Sequence, residues 1–415
     1  MKSGNRPTIR ALAFAGALLA AALAPAASAQ AWTFKTIHNF CAKANCADGQ
    51  IPASVMFDPS GRLVGLTYEG GPGGGGTVFS LKLNADGTKW KYQVLEDNAG
   101  GLPAPGLVED VRHNLYWASG SGASQIFELE RDGQLLAIHT FCLSCGEGSD
   151  PQSLTYAGAV SGMPYDGHSP LYGVSRGLNN GGQIFRLAKK PRRAWDLKVI
   201  YVFCPQGPCT DGSGPASLLA DTSGNLFGIT SAGGAMNGGI VFELSPTPGQ
   251  HWTETVLHDF CVDADCTDGK LPTGTLTMDA NGILYGVTQN GGTAGLGTLF
   301  KVVPDGSNSQ ETVLHSFCSD ANCADGWNPV AGPVVDAEGT LFGTTSFGGT
   351  HQNAGVAYEM SGSTYQKLYD FCALADCADG SSPAVVTLDG AGDVFGVTWA
   401  GGKHSNSGTV FELSP

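Results

Sequence analysis

Charge and long apolar runs are both scarce in this chain. Charged residues make up 14% of it, and the formal net charge is -15. The only dense basic run is Lys189, Lys190, Arg192 and Arg193, and one such run in an acidic chain reads as a solvated turn. An acidic body repels phosphate backbones, so no nucleic-acid partner is expected. After Ala24 no stretch reaches the roughly 18 apolar residues that a spanning helix needs, so no transmembrane segment is expected in the mature chain. No later window repeats apolar residues with the 3.6-residue period of a helix. The Gly-x-Ser-x-Gly elbow, the His-Glu-x-x-His helix and the P-loop are missing as well. Those absences remove the motif-bearing hydrolases, metallopeptidases and nucleotide enzymes, but not an enzyme that collects single residues from separate repeats.

What is present begins with a leader. Lys2, Arg6 and Arg10 precede an apolar run from Ala11 to Ala24, and Ala27, Ser28 and Ala29 supply small residues for cleavage before Gln30. Residues 1–29 therefore read as a secretory signal peptide. Removing these three basic residues moves the formal charge from -15 to -18. The product is expected to be exported, periplasmic or extracellular, and monomeric.

Twelve cysteines follow as six neighbouring pairs: Cys41 with Cys46, Cys142 with Cys145, Cys204 with Cys209, Cys261 with Cys266, Cys318 with Cys323, and Cys372 with Cys377. An even count in an exported chain reads as disulfides, and partners at most five positions apart favour closure within each loop. Each small ring contributes on the order of 2 kcal/mol by restricting the unfolded loop. Cys142-Leu143-Ser144-Cys145 has the spacing of a redox motif, but no βαβ pattern surrounds it, and it reads as a shortened copy of the same loop. Two sulfurs per loop are too few for structural zinc, and no metal site of that kind is expected.

The first cysteines of the good copies recur every 54 to 57 residues, which sets a repeat of roughly 55. Residues 255–302 show the unit most fully: TVLHDF, GTLTMD, ILYGVT and GTLFKV are four β-type runs separated by a two-cysteine loop, an Asp-to-Gly turn and a Gly-Gly loop. Seven copies of the second run end at Thr67, Ser119, Ser175, Thr230, Thr288, Thr345 and Thr398, and a third run follows each around Phe79, Phe127, Phe185, Phe242, Phe300, Tyr358 and Phe411. The expectation is an all-β fold, a seven-bladed β-propeller of four-stranded antiparallel blades forming one domain over residues 30–415. The chain opens on a run of the TVLHDF type and ends on one of the GTLFKV type. Residues 33–40 should therefore complete the blade begun at 382–413, closing the ring with its two ends.

This order puts the cysteine loops and the Gly-Gly loops on one face. The other face carries turns such as DPSG (58–61), DTSG (221–224), DANG (279–282) and DAEG (336–339), where Asp bonds backbone donors and Gly takes positive φ. Two copies depart from the pattern. The second, about 102–129, has no cysteine pair before it and reads SGSGAS in place of Gly-Gly; the third carries an insertion at 158–169.

LYGVTQNGGTAGLGTLFKV, echoed as LFGTTSFGGTHQNAGVAYEM and VFGVTWAGGKHSNSGTVFEL, resembles the GloVer tandem repeat of Gloeobacter and Verrucomicrobia over residues 33–415. The resemblance implies an exported bacterial repeat protein and carries no activity with it. Some members have a C-terminal sorting anchor; none is expected after Pro415.

Residue types present in nearly every copy serve the blade, so sites are sought where the copies differ. His38, His139, His258 and His315 share one outer-strand position, replaced by Tyr369 and Val202, and read as structural. The loops VDADCTDG (262–269) and SDANCADG (319–326) have the alternating oxygens of a calcium loop, with Asp263, Asp265 and Asp268 as ligands, but a cysteine interrupts the spacing. The competing reading is a stapled turn in which Asp268 or Asp325 bonds its own backbone, so calcium stays an open expectation. The non-repeated candidates on the Gly-Gly face are Tyr68, Glu69, Arg176, Phe347, His351, Trp399, Lys403 and His404, with Trp327 on a cysteine loop. Aromatics beside polar groups stack on sugars or seat a peptide. The function expected is a binding module for a glycan or protein ligand. Two alternatives stand beside it: a hydrolase or lyase using His351, His404 or Glu69 as acid or base, and an envelope scaffold.

Overall fold

The computed structural model describes residues 32–101, 106–120, 124–177, 181–191, 194–249 and 251–415. The leader, and Arg192 and Arg193 of the basic run, lie outside them. Within 32–415 the strands form seven four-stranded antiparallel sheets, which are the blades of a β-propeller. Blades 1 to 6 span 50–96, 108–140, 149–202, 213–259, 270–316 and 334–370. Blade 7 combines Ser381–Leu388, Val394–Ala400 and Thr409–Ser414 with Thr33–Asn39, which pairs from Thr33 opposite Ser414 to Asn39 opposite Thr409. The closure expected from the two chain ends is therefore present.

The repeat motif is explained by one cross-strand pair. In six blades the glycine of the second strand lies opposite an aromatic of the third, as in Gly286 with Phe300 and Gly396 with Phe411. A Cβ on Gly286 would stand 2.6 Å from the Phe300 ring, so glycine is what lets the ring lie across the strand. Blade 2 uses Trp117 opposite Phe127 and stacks the two rings at 5.4 Å instead. These aromatics are buried, and the apolar clusters they join draw on neighbouring blades, for example Phe227, Phe260, Leu276 and Phe300 across blades 4 and 5. A blade alone would leave these faces in water.

The two faces carry the expected loops. In six of the first hairpins one aspartate oxygen accepts two backbone N–H groups at 2.7–3.0 Å: Asp58, Asp110, Asp221, Asp279, Asp336 and Asp389. Blade 3 replaces this turn with its insertion, whose Tyr165 carbonyl accepts from Val111 of blade 2 and whose Gly158 N–H donates to Asp221 of blade 4. The insertion thus staples three blades. On the opposite face the six disulfides close within their loops.

Candidate functional site

Each cysteine loop is organised by an acid at its end. Asp48, Glu147, Asp211, Asp268, Asp325 and Asp379 accept backbone N–H groups from the first residues of their loops, at 2.9–3.2 Å. The outer-strand histidine meets the same acid: His258 to Asp268 is 3.2 Å and His315 to Asp325 is 2.9 Å. In blades 3 and 6 a tyrosine hydroxyl donates instead, Tyr201 to Asp211 and Tyr369 to Asp379. The residue replacing histidine in blade 3 is thus Tyr201, three positions before its cysteine like every histidine, and not Val202, which is exposed. The repeated histidines hold loops together. Asp268 and Asp325 bond their own backbone as the stapled-turn reading requires, while Asp263 and Asp265 are exposed.

The Gly-Gly loops sit directly on these stapled turns. Gly71, Gly234, Gly292, Gly349 and Gly402 donate N–H to the carbonyls of Cys46, Cys209, Cys266, Cys323 and Cys377 at 2.8–3.0 Å. Where the chain leaves each stapled turn to enter an inner strand, it is stitched to the preceding blade. Ile51 donates to Ser407, Leu271 to Gly238 and Ser382 to Ala354, at 2.8–2.9 Å. Ile51 and Leu271 hold φ near +55° to do so (53° and 57°). That conformation costs about 1–2 kcal/mol per residue and is offset by the inter-blade bond.

Cysteine-stapled loop, second strand ending in a buried Thr or Ser, Gly-Gly loop and aromatic third strand recur together. A model of the Gloeobacter/Verrucomicrobia repeat matches residues 156–325 and again 279–415. The chain belongs to this repeat family. The match starts at the end of the inner strand of blade 3, so blades 1 and 2 of this Gloeobacter/Verrucomicrobia repeat protein lie before it, and blade 2 is the copy without the glycine and the cysteine pair. No curated protein matches the chain.

Inside this scaffold a cavity of about 560 Å³ runs along the inner strands of all seven blades. Its wall is mostly small: Ala53, Gly106, Gly214, Ala216, Thr275, Ala331, Gly332 and Ala384. One repeat position crowns it on the Gly-Gly side, the residue after the buried Thr or Ser near the end of the second strand. That position is Tyr68, Gly120, Arg176, Ser231, Gln289, Ser346 and Trp399 in blades 1 to 7, and all except Gly120 and Ser346 line the cavity. Where the blade has no use for a common residue, the position varies.

Three of the candidates are therefore brought together: Tyr68, Arg176 and Trp399. Tyr68 is half-buried, and burial pushes its hydroxyl pKa up. The Trp399 indole N–H and the Ser54 hydroxyl are buried in the cavity wall with no hydrogen-bond partner. Arg176 is exposed and holds Asp150 through Nε at 3.0 Å. Gln152, Ser231 and Gln289 add to the polar part of the lining, with Ser217, Thr273 and Thr275. They were missed because polar strand residues look ordinary singly; counting one place on from each Thr or Ser finds Ser231 and Gln289.

The other candidates lie elsewhere. Trp327 and Phe347 stack on one another at 4.7 Å in blade 6, with the Trp327 N–H donated to Asn353, and neither lines the cavity. Glu69 accepts from Gln50 at 2.7 Å. His351, Lys403 and His404 are exposed at loop tips. Among the described residues no hydrogen bond joins any two of Glu69, His351 and His404, and none of them lines the cavity.

A different titratable cluster lies on the Asp-to-Gly face, where Asp58, Glu109 and His113 converge. Arg62 already fills the cation's place there, with Nε 2.8 Å from Asp58 and Nη2 3.7 Å from Glu109. Burial raises the Glu109 pKa, and the His113 ring lies 2.7 Å from its carboxylate. This is a latch between blades 1 and 2.

Proposed function

We propose that the protein is an exported β-propeller that binds a glycan at the mouth of its central cavity. The observation that carries this is the meeting of Tyr68, Arg176 and Trp399, from three blades, at one repeat position over a cavity of about 560 Å³. Aromatic rings beside hydrogen-bonding side chains in a concave site suit a sugar, whose apolar face stacks while its hydroxyls bond. The leader and the six disulfides support an oxidising compartment outside the cytoplasm. Among the described lining residues there is no Asp, Glu or His. Most glycoside hydrolases use a pair of carboxylates, which this lining lacks, and that supports binding over hydrolysis.

The test is a glycan array probed with the mature protein, followed by Trp399→Ser, which installs the residue that blade 4 carries at this position. Binding per folded molecule should fall at least tenfold, and part of the stability should go with it, because the indole also packs against the core shared by blades 7 and 1. An unchanged array pattern with Trp399→Ser would place the ligand elsewhere. A protein ligand captured at the same mouth, with no glycan bound, would replace the reading.

A further inference from the structure

Resting on the mouth as a glycan site, we infer that it selects an acidic saccharide, one that presents a uronate carboxylate to Arg176. The chain holds 37 acidic residues against 22 basic ones, yet among the described residues lining the cavity none is acidic and Arg176 alone is charged. The cavity lining thus lacks the acidic excess of the rest of the molecule.

Arg176 is also free to take the group. Its side chain is 72% exposed and is oriented by one contact, Nε to Asp150 Oδ2 at 3.0 Å. A guanidinium has five N–H donors in a rigid fork, so the edge formed by the two terminal nitrogens remains open to a planar pair of oxygens. Asp150 does not line the cavity, but it partly balances the arginine's charge. A site with one partly balanced cation fits a monoanionic carboxylate, whereas a doubly charged phosphate calls for more cations than this lining has.

The ring order places the partners sensibly. Trp399 and Tyr68 stand in blades 7 and 1, which are neighbours, and Arg176 stands in blade 3, across the ring from blade 7. Gln152 stands in the same blade, its Nε2 donating to the Asp150 carbonyl at 3.1 Å, and Ser231 and Gln289 follow in blades 4 and 5. One side of the mouth is aromatic and the other is polar. A sugar ring stacked on the aromatic side with its C6 substituent turned across the cavity would present a carboxylate on the arginine's side.

The experiment compares matched pairs by titration calorimetry at low salt: a galacturonate trisaccharide with its carboxyl-reduced galactose counterpart, and the equivalent glucuronate and glucose pair. In at least one pair the acidic member should bind about tenfold or more tighter, the range expected when a charge-assisted bond is gained. Arg176→Gln should erase that difference by bringing the acidic member down to its neutral counterpart, and Arg176→Lys should restore part of it. Trp399→Phe should weaken both members equally. Neutral members that bind as tightly as acidic ones, or a preference that survives Arg176→Gln, overturn the inference and leave the glycan site standing. No binding by any member to folded protein overturns both readings. A free-carboxylate peptide that binds while its amide and all the saccharides do not would assign the arginine to a peptide terminus and end the saccharide claim.

Discussion

The acid that closes each cysteine loop occurs in six of the seven repeats and the residue that crowns each second strand in all seven, and they have opposite histories. The acid is Asp or Glu in all six cysteine loops, because one or two amides at the start of each loop need an acceptor. The crowning position holds tyrosine, glycine, arginine, serine, glutamine, serine and tryptophan, and only its two serines donate to a backbone carbonyl, Ser231 to Gly214 and Ser346 to Pro383. Uniformity marks where the chain answers its own hydrogen-bonding needs. Variety at a fixed place in the fold marks where something outside the chain decides.

That contrast can be broken most severely at the ring closure. Deleting residues 32–40 removes the fourth strand of blade 7 and exposes the edge at Thr409–Ser414. Cooperative unfolding should be lost, and light scattering should show association through the open edge. Next in size is Asp325→Ala. This carboxylate is 1% exposed and accepts from the Ser319 and Asp320 amides and the Ser319 hydroxyl, so its loss should cost about 3 kcal/mol in a urea melt. Ligand affinity per folded molecule should not change.

A smaller effect is written in pH. Burial, with Asp211 and Asp268 nearby, pushes the Glu254 and Glu311 carboxyls up to about 7 from 4.5. A raised carboxyl is bound more tightly to its proton in the folded state, so the stability it contributes is full below about pH 4.5 and fades as pH rises through about 7. Asp48 and Asp325, held below 3.8 by their histidine and backbone donors against the cost of burial, act at the other end and lose their contribution in acid. The thermal midpoint should therefore fall on both sides of a plateau near pH 5. Glu254→Gln with Glu311→Gln should lift the alkaline side by about 1 kcal/mol per site, a figure discounted because both groups are only partly buried. The smallest effect belongs to the loop tips: His351→Ala with His404→Ala should leave both glycan affinity and the melting curve within twofold and about a degree of the parent.

Reading the fold from the chain worked because each blade repeats its constraint. A glycine opposite an aromatic, an Asp turn and a stapled loop each recur in six of the seven blades and point to the same four strands, and the two terminal strands belong to one blade. The slip at Val202 came from following strand hydrophobicity; measured back from the cysteine, the position belongs to Tyr201. The site was legible only in part. Tyr68, Arg176 and Trp399 stood out as non-repeated residues, but so did His351, Lys403 and His404. A linear sequence says which residue is singular and not how far it stands from the axis. The place immediately after the strand-ending Thr or Ser, which faces inward, separates the two groups, and Gln289 could have been found the same way.

Closure of the ring by Thr33–Asn39 also orders events in time. Its partner strand ends at Ser414, so the first strand to be made waits for the last, across almost the whole chain. Loop-closure entropy grows only slowly with length, but a contact this distant cannot nucleate folding and comes late. Blades 1 to 6 can assemble in sequence beforehand, each on the one before. Until the final strand arrives, the growing arc carries an open end at either side, and completing the circle removes both at once. Assembly of this protein is therefore a race between one intramolecular pairing and every other chain that could pair first.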